Sequence, residues 1–407
     1  MKNVLKMKPK RIFTLFILCL IGVTLKSQET TKKAADKAPA RPVRMQPGVK
    51  SPEIMPDNTV ILRLLSREAA SVAVSGDWMP GWGTSVPMVK NDTGLWSLTV
   101  GPLSPELYSY TFLIDGVRVL DPNNPQVKRD GSRNESMLLI PGMESDLYLV
   151  KDVPHSSLTK LWYESPSLKL NRRMYVYTPA GYENNADKYP VFYLLHGGGG
   201  DEDAWTTLGR TCQIMDNLIV QGKAKPMIVV MPNGNPGQAA APGEAPVVTG
   251  NREASEPFDM GRGLFEESLV KDIIPYIESH YRVLADKDNR ALAGLSMGGM
   301  QTLNTTGKYP GMFGYIGVMS MGLPDLKQMG LEPDPEQDAK FEAVRNSGYK
   351  LYWVACGKED FLYKSVIDLR AKLDQHNFNY TYRESTGGHT WANWRIYLSE
   401  FAPMLFK

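Results

Sequence analysis

The chain is 407 residues long, with 42% hydrophobic residues and a formal net charge of +2. That length suits two domains, and a catalytic core of about 250 residues buries enough surface to stand alone. Acidic and basic residues are mixed along the chain, so nothing resembles a phosphate-binding face and nucleic acid is excluded as a partner.

Lys2, Lys6, Lys8, Lys10 and Arg11 precede an apolar run from Ile12 to Leu25. The run is short for a bilayer span and polar sequence follows at once, so residues 1–27 read as a signal peptide. A lipoprotein signal is disfavoured because Leu18, not a small residue, precedes Cys19. The expectation is a secreted or periplasmic protein, with no membrane attachment after signal removal. Cys212 and Cys356 then remain, as one disulfide or as two buried thiols. No Cys/His cluster has metal-ligand spacing, so neither metal nor cofactor is expected.

Residues 28–53, rich in Lys, Ala and Pro, read as a flexible linker. Over 54–142 the pattern is short alternating strands: Val60–Leu64, Ser71–Ser75, Leu95–Val100 and Leu107–Ile114, then an Asp115-Gly116 turn into Val117–Leu120. This predicts a small Ig-like β-sandwich. Residues 143–155 read as a second linker.

Over 156–407 strands and helices alternate. The strands are Met174–Thr178, Val191–Leu195, Met227–Met231, Ala291–Gly294, Tyr315–Met319, Leu351–Ala355 and Asn379–Arg383. Helical patterns cover Phe265–His280, Met297–Lys308, Lys364–Gln375 and Trp394–Leu405. Continuous Val/Ile/Leu/Tyr runs suit strands covered on both faces, and the alternation predicts an α/β fold with a doubly wound, mostly parallel sheet.

Gly294-Leu295-Ser296-Met297-Gly298-Gly299 matches Gly-x-Ser-x-Gly at a strand-to-helix turn. Such a turn needs flanking positions almost free of side chain, and it raises the hydroxyl above the sheet. Ser296 is therefore the candidate nucleophile, with a helix-capping serine as the structural alternative. A serine needs a base. His155 lies in a spacer, His280 and His376 lie at helix ends, and His196 opens a glycine run. His389, on a glycine-hinged loop between the last strand and last helix, remains.

The acid is expected between serine and histidine in the chain. Asp360, directly after an apolar strand, leads, with Glu359 and Asp325 as alternatives and a helix N-cap as its structural reading. The run His196 to Gly200 turns backbone N–H groups toward a carbonyl, so Gly197 and Gly198 join Met297 as oxyanion donors. The stretch from Asn233 to Arg262 and the aromatics Trp205, Phe258, Trp391 and Trp394 are candidates for the substrate pocket, with Trp391 and Trp205 as the substrate-binding pair.

Leu194–Gly200, Gly294–Gly299, the Gly357–Asp360 turn and Gly388-His389 resemble the esterase D group of α/β-hydrolases. Within it they look most like carbohydrate esterase family 1, the feruloyl and acetyl xylan esterases. Val72–Trp78, Gly94–Trp96 and Tyr108–Gly116 resemble the family 48 carbohydrate-binding module, an Ig-like fold. The combination implies an α/β-hydrolase preceded by a β-sandwich, acting on ester-bearing plant cell-wall polysaccharide. Feruloyl esters of arabinoxylan come first and acetyl esters second. Trp78 and Trp82 either stack on sugar rings or pack against the esterase. A siderophore esterase, a thioesterase and a non-catalytic carbohydrate-binding protein are the rival readings.

Overall fold

The computed structural model describes residues 48–80, 83–246, 263–323 and 334–407. The expected signal peptide, nearly all of the expected first linker, Trp82, Phe258 and Asp325 lie outside the described residues. Residues 48–407 form one compact unit.

Among the described residues ten strands make two small sheets. The first has the order β1 (Glu53–Ile54), β2 (Val60–Leu65), β6 (Leu95–Val100), β5 (Val89–Lys90). The second has the order β4 (Val86–Pro87), β3 (Val72–Gly76), β7 (Leu107–Ile114), β10 (Arg133–Leu139), β9 (Val127–Asp130), with β8 (Val117–Val119) on β7. Every second residue of β2 points inward: Val60, Leu62 and Leu64 are buried together with Val72, Val74, Tyr110, Phe112 and Leu138. That period of two builds the sandwich core. Trp78 belongs to it, half-buried edge-on against Tyr108. The sequence reading did not include β9 and β10.

The large sheet has eight strands. Their order is β11 (Ser157–Ser165), β12 (Leu170–Thr178), β14 (Ile228–Pro232), β13 (Val191–Leu195), β15 (Arg290–Leu295), β16 (Tyr315–Met319), β17 (Leu351–Gly357), β18 (Thr381–Ser385). From β14 onward neighbours run parallel; β11 and β12 are antiparallel additions at one edge. The expected doubly wound α/β sheet is thus present, extended by β11, whose mostly polar, exposed residues give no apolar signal.

Among the described residues eight helices flank the sheet: α1 (Ala204–Thr207), α2 (Thr211–Val220), α3 (Leu264–Ser268), α4 (Ile274–His280), α5 (Met297–Lys308), α6 (Gln337–Arg345), α7 (Tyr363–Gln375) and α8 (Trp391–Phe401). Strand β13 shows why both faces need cover. Phe192 and Leu194 enter the core under α2 and α8, while Val191, Tyr193 and Leu195 enter the core on the opposite face.

The 143–155 segment is not a free spacer. Tyr148 is buried, Arg210 and Asn217 donate to the carbonyls of Tyr148, Leu147 and Leu149, and Tyr148 donates its hydroxyl to Glu106. Leu107 of the sandwich lies in the same core cluster as Trp394 and Phe401. Arg395 of α8, 2% exposed on its side chain, donates to Glu106 (2.6 Å) and to the carbonyl of Leu208 (2.7 Å). Sandwich and large sheet therefore share buried surface. Cys212 and Cys356 are free thiols, both pushed up to about 12 by burial, which suits small apolar fillers rather than reactive groups.

Candidate active site

Strand β15 ends at Leu295 and α5 starts at Met297, so Ser296 alone makes the turn. Its φ of +51° and ψ of −118° lie in a region L-residues avoid, at a cost of about 1–3 kcal/mol. The neighbours explain how the turn closes. A Cβ on Gly294 would stand 2.3 Å from the carbonyl carbon of Gly298, and one on Gly298 would stand 2.6 Å from the carbonyl oxygen of His196. Both contacts are with backbone, so neither position accepts a side chain. The Ser296 N–H donates to Met319 at 2.9 Å and pins the turn to β16.

The glycine run after β13 passes directly over this turn: a Cβ on Gly197 would meet Leu295 Cδ1 at 2.5 Å and Ser296 Cβ at 3.2 Å. His196 anchors the run from below. Its buried ring lies 2.8 Å from the Gly197 carbonyl through Nδ1 and accepts from the Gly234 N–H at 2.7 Å through Nε2. An Nε2 that accepts leaves the proton on Nδ1, so the ring is neutral and its pKa is lowered by burial. Among the described residues the N–H groups of Gly197, Gly198 and Met297 donate to no protein acceptor, which leaves them available to an oxyanion.

His389 stands on the loop between β18 and α8. Gly387, with φ of +80°, supplies the bend, and Asn393 donates to the Gly388 carbonyl at 2.9 Å to hold the loop. Nδ1 of His389 lies 3.0 and 2.9 Å from the two carboxylate oxygens of Asp360. Asp360 is 4% exposed, and the Leu362 N–H donates to it at 2.8 Å. Burial pushes its pKa up, but hydrogen bonds from His389 and Leu362, the imidazole's charge and the Ser320 hydroxyl outweigh that and hold it below the usual value. Glu359 is exposed, its backbone N–H donates to the Gly387 carbonyl, and among the described residues no hydrogen bond joins it to the imidazole.

Ser296 and His389 line one cleft, shared with Gly197, Gly198, Leu295 and Trp391. No hydrogen bond joins the serine hydroxyl to the imidazole among the described residues; such bonds in hydrolases often tighten only around substrate. The cleft opens at the carboxyl ends of the parallel strands, where doubly wound sheets hold their ligands.

Trp391 lies on the cleft wall, whereas Trp205 does not reach it. Trp205 is 1% exposed, gives its indole N–H to the Leu195 carbonyl at 2.9 Å, and meets Trp391 edge-on at 5.3 Å. It is a core support for Trp391 rather than a substrate contact. Two residues went unnoticed in the sequence. Phe361 is 75% exposed and lies 4.5 Å, ring to ring, from His389. Asp130, from the sandwich, lines the cleft beside Ser296. Its signal was present in the Asp130-Gly131 pair, a hairpin dipeptide, but the charged run around it masked the strands.

The family described as "Putative esterase" matches residues 165–405. The chain belongs to that esterase family. This esterase is 34% identical over 372 residues to the endo-1,4-beta-xylanase/feruloyl esterase of Xylanibacter ruminicola, which covers 89% of the chain. It spans about half, 47%, of that relative's length. Among solved structures it resembles the CE1 ferulic acid esterase of the anaerobic fungus Anaeromyces mucronatus, with 27% identity, a TM-score of 0.52, and coverage of 64% of this chain and 95% of that one. The enterobactin esterase of Shigella flexneri shares the fold at 17% identity, with a TM-score of 0.61 and coverage of 86% of this chain and 92% of that one.

Proposed function

We propose that this esterase hydrolyses carboxylic esters through Ser296, His389 and Asp360, and that its substrates are feruloyl esters of plant cell-wall arabinoxylan. The observation that carries the reading is a serine on a strained turn sharing a cleft with an imidazole bound to a buried carboxylate. Because Nδ1–H is given to Asp360, Nε2 carries the lone pair and takes the serine proton as the hydroxyl attacks the ester carbonyl. The oxyanion rests on the N–H groups of Met297 and the Gly197–Gly198 segment, each such donor supplying about 3 kcal/mol. Protonated His389 then gives its proton to the departing sugar oxygen. Water repeats the cycle and frees the acid.

The walls and the relatives support a hydroxycinnamoyl acyl group. Trp391 and Phe361 offer flat apolar faces beside the base, suited to a hydroxycinnamoyl ring. The names of the Xylanibacter and Anaeromyces proteins carry the same chemistry. In this reading residues 1–27 export the protein to where polysaccharide is found.

The test compares product release from feruloylated arabinoxylan oligosaccharides, acetylated xylan oligosaccharides and a catecholate trilactone, with Ser296→Ala as control. Ferulate release by the wild type and none by the variant is the expected result. Preference for acetyl or trilactone esters would displace the feruloyl reading and keep the chemistry; a fully active S296A would overturn both.

A further inference from the structure

The mechanism leaves Arg129 and Asp130, the last two residues of β9 before the turn into β10, unexplained. Asp130 lines the cleft that holds Ser296 and His389. Its carboxylate makes no hydrogen bond or ion pair among the described residues, while the neighbouring Lys128 is buried and feels its charge. Surface carboxylates are commonly unpaired, but this one shares a cleft with a nucleophile.

The turn is also held in place. Gly131, with φ of +58°, approaches so closely that a Cβ there would lie 3.0 Å from the Gly199 carbonyl, in the glycine run beside the nucleophile. Arg129 locks that contact. Its Nη1 and Nη2 donate to the two oxygens of Asp201 at 2.6 and 2.8 Å, and Nη1 also donates to the Gly131 carbonyl at 2.6 Å. Asp201 is buried and directly follows the glycine run. A planar fork on a buried carboxylate fixes direction as well as distance.

We propose that the β-sandwich completes the ester site: Asp130 accepts a hydrogen bond from a hydroxyl of the bound ester, and Arg129 is a positioning residue that holds the glycine run through Asp201. The proposal rests on the ester-hydrolase reading. A carboxylate in that place repels anions and selects donors, and the donors on a cell-wall ester are hydroxyls. They sit either on the phenol of the acyl group or on the sugar that leaves.

Two ratios of kcat/KM distinguish the sources in wild type, D130A and D130N. The first compares methyl ferulate with methyl 3,4-dimethoxycinnamate, which lacks the phenol hydroxyl. The second compares feruloylated arabinose with methyl ferulate, which lacks the sugar. In D130A one of these ratios falls about tenfold, and D130N recovers part of it because its amide oxygen still accepts. A fall in the first assigns the phenol, and a fall in the second assigns the sugar. Both ratios unchanged would overturn the role of Asp130. Wild type active on 4-nitrophenyl acetate but on none of these cinnamates would instead overturn the feruloyl reading, and this proposal with it. Arg129→Ala lowers kcat on every ester turned over by about tenfold, with KM nearly unchanged and partial recovery in R129K. An unaltered kcat, or an R129K as impaired as R129A, would overturn the positioning role.

Discussion

Nδ1 of His389 faces both oxygens of Asp360 at 2.9–3.0 Å, and the carboxylate has almost no exposure to water. On the proposed mechanism the pair fixes the imidazole's tautomer, so replacing Asp360 disturbs the proposed base without touching Ser296. Asp360→Asn is expected to lower kcat by about 10³- to 10⁴-fold with little change in KM. Glu359→Gln, on an exposed side chain pointing at no imidazole, should leave kcat within about twofold. Steady-state kinetics on methyl ferulate checks both.

The same pair predicts a pH signature in stability. Asp360 has its pKa depressed in the folded state, so its ionisation stabilises the fold fully above the unfolded carboxyl value, about 3.9, and that contribution is lost as pH falls through the lower folded value. The stability gap between wild type and D360N should shrink as pH falls below about 4, compared with its value at about pH 5. Urea denaturation across that range reads it directly.

Ser296 stores strain that only a residue without Cβ escapes. Alanine keeps the Cβ and the strain; glycine removes both, at an entropic cost of about 0.5–1 kcal/mol against a relief of about 1–3 kcal/mol. Ser296→Gly should therefore be more stable than Ser296→Ala by about 1 kcal/mol, and both should lose at least about 10⁴-fold in kcat. Paired urea midpoints and a ferulate-release assay test the two halves separately.

Arg395 is buried with its guanidinium on Glu106 and the Leu208 carbonyl. Removing it leaves the Glu106 carboxylate without that partner. Arg395→Ala should destabilise the protein by about 3–5 kcal/mol, lowering the denaturation midpoint of sandwich and sheet together in one transition. Two separated transitions in calorimetry would contradict the shared core.

Much of this was legible in the sequence where side-chain pattern and backbone need coincide. Val191–Leu195 and Tyr315–Met319 are apolar throughout because both faces are covered, and Gly294-x-Ser296-x-Gly298 is spelled by the contacts that forbid a Cβ. Asp360 stands directly after β17, the position its apolar run suggested, and its contact with His389 supports its proposed role. The strands β9 and β11 were not legible, because Val127-Lys128-Arg129-Asp130 and Ser157–Ser165 carry polar residues that break the apolar pattern. Trp205 was misread for a related reason: proximity in sequence to the glycine run says nothing about which way an indole points.

The contact between Glu106 and Arg395 joins positions 289 residues apart. A ribosome releases the first long before it makes the second. The sandwich's Leu107 face thus stays uncovered through most of synthesis, and the last helix is the piece that closes it. Chains halted before α8 should be sticky, chaperone-bound species, whereas chains that reach it fold in one final step.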